Sequence, residues 1–422
     1  MSGKAPESRS LDGLLITAAL LGANVVSYVF TIVAARILAP SVFGEISALL
    51  ALLVVGVVPA MGLQAAGALR IARAERGRRG TESSTLFGLT LAVSGLSGLV
   101  ALALSPALVA LLHLDGYGPA LWLAVALVPL TTLGLFHGRL QGARRFGGLA
   151  LLVGMESLGK VGGGLAGLVI GGTSTSSLAG TAIGSMAVAV VGWLLCGRPV
   201  PARPRRRAAW ETLHAAQAML ALVLLVNIDL VLARHHLPPR QAGEYAVGAV
   251  ITKVAYWLPQ AVGVIVLPKL AHADARRTAL PMALGICAAL DALVVLGAAL
   301  FGPTAVGMIG GAAYVDAAVP LWQFALVGSF LALVQLLLFA RIASADRRST
   351  TAVWVAVAVE VLLISLWLND SMAQVLAAAS IATGLLVLIG GVIESREAQR
   401  SAGANGLKQA ATNAATATSN AP

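Results

Sequence analysis

The chain has 422 residues, of which 58% are hydrophobic and 11% charged. No water-soluble domain can bury that proportion of apolar surface, so these figures exclude a soluble enzyme or regulator and point to a polytopic membrane protein. The formal charge of +11 raises nucleic acid as a partner, and only the placement of the basic residues decides against it.

A membrane-spanning helix needs about 20 apolar residues, and runs of that kind predict twelve helices near 14–35, 45–66, 86–109, 118–137, 149–170, 176–196, 214–234, 243–267, 279–301, 318–340, 350–368 and 373–393. The first run is long enough to span, so no cleaved leader is expected. It carries Asn24, Ser27 and Tyr28 and ends at Arg36, where Ala39-Pro40 turns the chain and Gly44-Glu45 opens the second helix. An acid there faces the positive end of the helix dipole. Pro59 within the second helix frees a backbone carbonyl and predicts a kink. The loop Gly67–Arg79 partly resembles the Gly-rich signature of major-facilitator carriers, with Ile71 where that signature has Asp.

The later chain echoes the earlier one. Ala35-Arg36, Pro40 and Gly44-Glu45 return as Ala233-Arg234, Pro238 and Gly243-Glu244. Pro59, Pro106, Leu121-Trp122 and the basic loop at Arg139 and Arg144-Arg145 return as Pro259, Pro303, Leu321-Trp322 and Arg341 with Arg347-Arg348. Matches in the same order at nearly one offset argue for two homologous halves. With six helices each, the halves share an orientation and are related by an axis along the membrane normal. The expected fold is therefore an all-α integral membrane protein of twelve helices in two six-helix bundles. The expected organisation is a cytoplasmic tail at 1–13, bundles at 14–196 and 213–394, a basic Pro-rich linker at 197–212, and a disordered cytoplasmic tail at 395–422.

Of the 29 Lys and Arg residues, 24 fall on segments that this topology assigns to the cytoplasm, three (Arg36, Arg234, Arg240) fall outside and two (Lys160, Lys253) lie within helices. That bias follows the positive-inside rule and places both termini in the cytoplasm. Basicity is thus an orientation signal, and nucleic-acid binding is not expected.

No soluble loop is large enough to hold a catalytic carboxylate or metal cluster, and the six histidines show no ligand spacing. Neither an enzyme, a cofactor nor a metal site is expected. Cys196 and Cys287 are small packing residues. Six charges lie within helices: Glu156, Lys160, Asp229, Lys253, Asp291 and Glu360. An unpaired charge at the bilayer centre costs about 2.5 to 3.5 kcal/mol on insertion scales. Glu156 and Lys160, spaced i to i+4 with the acid first, predict a local ion pair. Asp229 and Lys253 lie at matching depths on helices seven and eight and could pair across that hairpin, as a structural contact or as a coupling device that opens when an anion takes the lysine.

The segments Ala35-Arg36-Ile-Leu-Ala-Pro40-Ser-Val-Phe43-Gly44, Gly138-Arg-Leu-Gln141-Gly142-Ala-Arg-Arg145-Phe146, Asn227-Ile-Asp229-Leu-Val-Leu-Ala-Arg234, Ala242-Gly243-Glu-Tyr245-Ala and Leu258-Pro259 through Leu267-Pro268-Lys269 resemble the polysaccharide-flippase branch of the multidrug/oligosaccharidyl-lipid/polysaccharide (MOP) exporter superfamily. The resemblance covers about residues 14–393. It implies two bundles in a V that open alternately to each side and move a polyprenyl-pyrophosphate-linked oligosaccharide across the plasma membrane for cell-surface polysaccharide synthesis. It also implies a cavity lined by helices one, two, seven and eight, with Arg36, Gln64, Asn227, Arg234 and Lys253 binding substrate and Asp229 in a coupling role. Cations suit that task, because a pyrophosphate in the bilayer needs its charge compensated. The partners implied are the lipid-linked glycan, membrane lipids and glycan-assembly enzymes, with the protein itself a monomer. The lipid-II flippase branch, with two further C-terminal helices, fits less well. A cation-coupled multidrug exporter of the same superfamily, a major-facilitator carrier and a non-transporting scaffold are the alternatives.

Overall fold

Three interruptions of the long apolar helices lie two residues before a proline, whose ring removes one backbone donor and crowds the preceding turn, while Pro129 sits inside an unbroken helix. The computed structural model describes residues 6–75, 79–203, 206–258, 273–343 and 348–393. Helix α1 is Pro6–Ile37. The second predicted helix is two segments, α2 (Pro40–Gly56) and α3 (Val58–Arg73), separated at Val57, two residues before Pro59. The third is α4 (Arg79–Ala103) and α5 (Ser105–Leu112), separated at Leu104, two residues before Pro106. Helices α6 (Gly118–Gly142), α7 (Phe146–Gly171), α8 (Ser174–Leu195), α9 (Arg206–His236) and α10 (Pro239–Trp257) follow. Helix α11 (Ala273–Gly310) kinks at Phe301, two residues before Pro303. A 3-10 turn, Ala312–Tyr314, leads to α12 (Leu321–Ala343), α13 (Arg348–Leu366) and α14 (Met372–Ile393).

The repeat seen in the sequence is also visible in these breaks. The kink before Pro303 answers the break before Pro106. Pro259 itself, the Leu267-Pro268-Lys269 motif, the end of the predicted helix 243–267 and most of both tails lie outside the described residues.

Among the described residues, nine helical stretches are long and apolar enough to cross a membrane, and two shorter apolar helices, Leu21–Ile37 and Thr350–Leu366, accompany them. The chain is a multi-pass, all-helical membrane protein.

The described structure falls into two compact units. The first comprises Met1–Val250, Phe301–Pro320 and Val361–Val375. Its tightest seams are built from glycine, because apolar helices in lipid gain little from burying one another and adhere through close backbone approach instead. On α7, Gly159, Gly163 and Gly167 recur every four residues and meet Gly184, Gly180 and Ser176 of α8, backbone against backbone. On α6, Gly134, Gly138 and Gly142 meet Ala60, Gln64 and Ala68 of α3 in the same way. The chain after α8 folds back onto this unit. Arg145 Nη1 donates to Leu195 O at 3.0 Å, Trp193 Nε1 donates to Pro199 O at 3.2 Å, and Ala202 N donates to Ser84 O at 3.0 Å. Cys196 is buried there, which pushes its thiol up to about 11.

The second unit comprises Ile251–Leu300, Leu321–Glu360 and the chain from Leu376. Leu280, Ala283 and Cys287 of α11 pack on Leu336 of α12. Gly328 lets α12 approach α10, where Thr252 Oγ1 donates to Phe324 O at 3.0 Å. Asp291 and Glu360 are both buried in this unit, and neither carboxylate oxygen of Asp291 has a hydrogen-bond partner among the described residues.

Gly163→Val would drive a branched side chain into the Gly180 carbonyl, and overpacking of that kind costs about 1 to 3 kcal/mol. Gly154, on the same helix, faces open space within 4 Å, so Gly154→Ala leaves stability unchanged or raises it by up to about 1 kcal/mol through helix propensity. Thermal unfolding in detergent separates the two, with Gly163→Val melting several degrees lower and Gly154→Ala not.

Candidate functional site

The repeated hairpins meet at one end of the first unit. Gly44, near the start of α2, lies against the backbone of Ala242 and Gly243 at the start of α10, and Gly243 in turn lies against Pro40. A Cβ at either glycine would strike backbone of the other hairpin, so the two turns pack as closely as peptide chains allow.

Around this contact the structure places both arginines that end the first helix of each hairpin. Arg234 is buried. Its Nε donates to Leu112 O at 3.0 Å and its Nη1 to Ser41 O at 3.4 Å, while its Nη2 lies 3.8 Å from the Glu45 carboxylate. Glu45 also accepts a hydrogen bond from the Ser174 hydroxyl at the start of α8. Arg36 is exposed, and its Nη2 donates to Met308 O at 2.5 Å in the last turn of α11. Carbonyls of a last helical turn lack intrahelical donors and sit at the negative end of the dipole, so guanidinium groups are suitable partners.

Three histidines gather at the same end. His113 closes α5 in the left-handed region, at φ 50°, and its ring stacks on His235 at 5.3 Å between centroids. His235 Nδ1 donates to Leu111 O at 2.8 Å, and His236 packs edge-on against His235. Tyr314, just beyond α11, is fully buried; burial, with Glu244 adding to it, raises its phenol above the ordinary range. Among the described residues no three His, Cys, Asp or Glu side chains converge to hold a metal ion.

The other sequence-predicted residues lie elsewhere. Asp229 is buried on α9 and accepts from the Tyr245 hydroxyl at 2.8 Å. Asn227, also buried, returns its amide to Val223 O at 2.8 Å on its own helix. Gln64 Nε2 donates to Gln141 Oε1 at 3.3 Å, across the glycine seam between α3 and α6. Lys253 is half-buried and belongs to the second unit, whereas Asp229 belongs to the first. The structure therefore groups Arg36 and Arg234 at the hairpin contact and distributes Gln64, Asn227 and Asp229 along α3 and α9.

One expectation is corrected. Glu156 pairs with His137 of α6 at 3.3 Å, and the pair expected with Lys160 is not among the ion pairs of the described residues. The i to i+4 rule holds for solvated helix faces; here the interhelical partner lies within reach of a half-buried carboxylate. Sequence analysis also missed Tyr245, Ser174 and the acceptor role of the Leu112 and Met308 carbonyls. Tyr245 stood within a quoted motif and carried no separate signal, and backbone acceptors carry none.

Solved structures share the fold. An inward-facing multidrug resistance MATE family transporter of the MOP superfamily aligns with TM-score 0.67 and 14% identity, over 89% of this chain and 95% of that chain. The lipid II flippase MurJ in an inward closed conformation aligns with TM-score 0.70 and 11% identity, over 89% and 86%. A eukaryotic MATE transporter aligns with TM-score 0.59 and 16% identity, over 93% and 97%. The fold is thus that of the MOP-type membrane transporters, which sets aside the major-facilitator alternative. No curated protein matches the sequence. The sequence profile described as "Polysaccharide biosynthesis protein" matches residues 11–257, more than half of the chain, and the chain belongs to that family.

Removing one partner of a buried ion pair leaves the other desolvated, at a cost of about 3 to 5 kcal/mol, whereas an exposed pair is worth about 1 kcal/mol or less. Glu45 and Arg234 are 13% and 7% exposed, while Arg240, 3.2 Å from Glu244, is 67% exposed. Glu45→Ala is expected to lower the unfolding temperature clearly and Arg240→Ala hardly at all, a contrast that parallel thermal scans of the purified variants measure.

Proposed function

We propose that this protein is a flippase that carries a polyprenyl-pyrophosphate-linked oligosaccharide from the cytoplasmic to the outer leaflet of the plasma membrane by alternating access. The family match over residues 11–257 carries the reading, because that region contains both repeated hairpins. In this reading twelve spans form bundles at 14–196 and 213–394 joined by the linker 197–212, both termini are cytoplasmic, and the hairpin contact lies at the outer end.

The chemistry of the substrate sets what the path must supply. A pyrophosphate cannot cross hydrocarbon without cations to offset its charge, and arginine and lysine provide both charge and directed donors. Lys253 and Arg36 are assigned to the pyrophosphate, with Arg234 as a further cation. Gln64 and Asn227 are assigned to polar groups of the substrate, and Asp229 to tuning Lys253. In the present state Arg36 and Arg234 are engaged by carbonyls, so they reach a phosphate only after those bonds break. Glycan-assembly enzymes are the partners that this role implies, and the protein acts as a monomer.

Reconstitution tests the assignment. Liposomes containing the full chain should move a fluorescent polyprenyl-pyrophosphate glycan between leaflets; Lys253→Ala should slow this at least about tenfold, the scale of one lost charge-assisted contact, with unchanged gel-filtration behaviour, and Lys253→Arg should restore part of it. Normal transport by Lys253→Ala refutes the residue assignment. A wild-type protein that moves cationic drugs and no glycan lipid favours the cation-coupled multidrug exporter instead.

A further inference from the structure

The two arginine contacts at the hairpin end are related in a way that neither shows alone. Arg36 and Arg234 are 198 residues apart, and the residues whose carbonyls they bond, Leu112 and Met308, are 196 apart. Donors and acceptors therefore repeat at nearly the same offset as the two hairpins, but crosswise. The arginine of the first copy bonds the end of α11 in the second copy, and the arginine of the second copy bonds the end of α5 in the first. Both acceptor segments follow a proline-associated break, at Leu104 and Phe301. The contact of Gly44 with Ala242 and Gly243 lies between the repeated turns.

We propose that Arg36 and Arg234 form a reciprocal clasp that holds this end of the transport path closed, each half capping a helix of the other, and that transport requires both caps to be released. The clasp rests on the flippase reading for its place in the cycle, and acts on the gate rather than on glycan chemistry. A static cap within one bundle would not be exchanged between repeats. An exchanged pair ties together the two parts that alternating access must separate. The two arms differ in strength. Arg234 is buried, with Ser41 O and the Glu45 carboxylate as further partners, whereas Arg36 is exposed. Arg36 is thus the arm that releases first.

The test measures opening directly. Leu237, 4% exposed in the α9–α10 turn, is replaced by Cys in a full-length chain whose buried Cys196 and Cys287 are changed to Ala, and a membrane-impermeant maleimide is applied to proteoliposomes. R36Q should raise the labelling rate about tenfold, R234K about tenfold, and the double variant about 100-fold, the factor expected when one charge-assisted hydrogen bond is lost per arm and the arms act independently. R234K keeps a cation beside Glu45 and so protects folding; R36Q alters an exposed residue. Unchanged labelling in both single variants, whether or not glycan translocation falls, overturns the clasp, and a fall in translocation would then mean that the arginines serve the substrate. Raised labelling in only one variant overturns the reciprocity. Raised labelling in both supports the clasp, even if the wild-type protein moves no glycan lipid, in which case only the flippase reading fails.

Discussion

A guanidinium buried in an apolar bundle must find acceptors, and the way Arg234 finds them organises one end of this protein. Its partners come from two separate parts of the chain: Leu112 at the end of α5, and Ser41 and Glu45 in the first turns of α2. No one of these is adjacent to it in sequence. Satisfying one charge therefore fixes where α2, α5 and α9 end relative to each other. Ser174 binds the far side of Glu45 and brings the start of α8 into the same network. Charge satisfaction in this site is a constraint on backbone placement as much as a source of energy.

The glycine seams supply the complementary constraint. Where Gly159, Gly163 and Gly167 face Ser176, Gly180 and Gly184, the helices cannot slide without driving atoms into backbone. Close-packed backbone surfaces of this sort are stiff, because dispersion forces fall off steeply once a gap opens. The proline-associated breaks at Val57, Leu104 and Phe301 are the opposite kind of feature, places where a helix has already given up part of its hydrogen-bond ladder. Rigid seams alternate with pre-broken helices along the chain, and the caps by Arg36 and Arg234 lie on the short segments beyond two of those breaks.

Much of this was legible in the sequence, for identifiable reasons. Apolar length reports on the bilayer directly, so nine of the twelve predicted runs coincide with apolar spans among the described residues, and Pro59 follows a real interruption at Val57. The offset between Arg36 and Arg234 was also visible. Their partners were not, since the carbonyls of Leu112 and Met308 belong to every residue type equally and only the fold selects them. The same applies to Glu156: its local spacing to Lys160 is a property of one helix, and packing against α6 offered His137 instead. The spacing of Gly134, Gly138 and Gly142 signalled a close helix partner, but not that the partner would be α3.

Exchange between repeats also bears on how such a site can arise. A duplicated hairpin that ends in arginine starts with two identical donors and two identical helix ends. If each donor capped its own copy, the halves would be self-sufficient and would owe each other nothing at this end. Capping crosswise makes the closed state a property of the pair, with a cost to separation that is set by two bonds and can be tuned by altering one. The chain shows such tuning in its asymmetry, since the second-copy arginine has acquired Glu45 and burial, while the first-copy arginine remains in the open beside Gly311. A buried ion pair gives geometric specificity but is slow to part, because each charge must be resolvated, whereas an exposed cap to a carbonyl parts readily. Pairing one of each leaves the joint specific in its closed geometry and yet able to open stepwise from its exposed side.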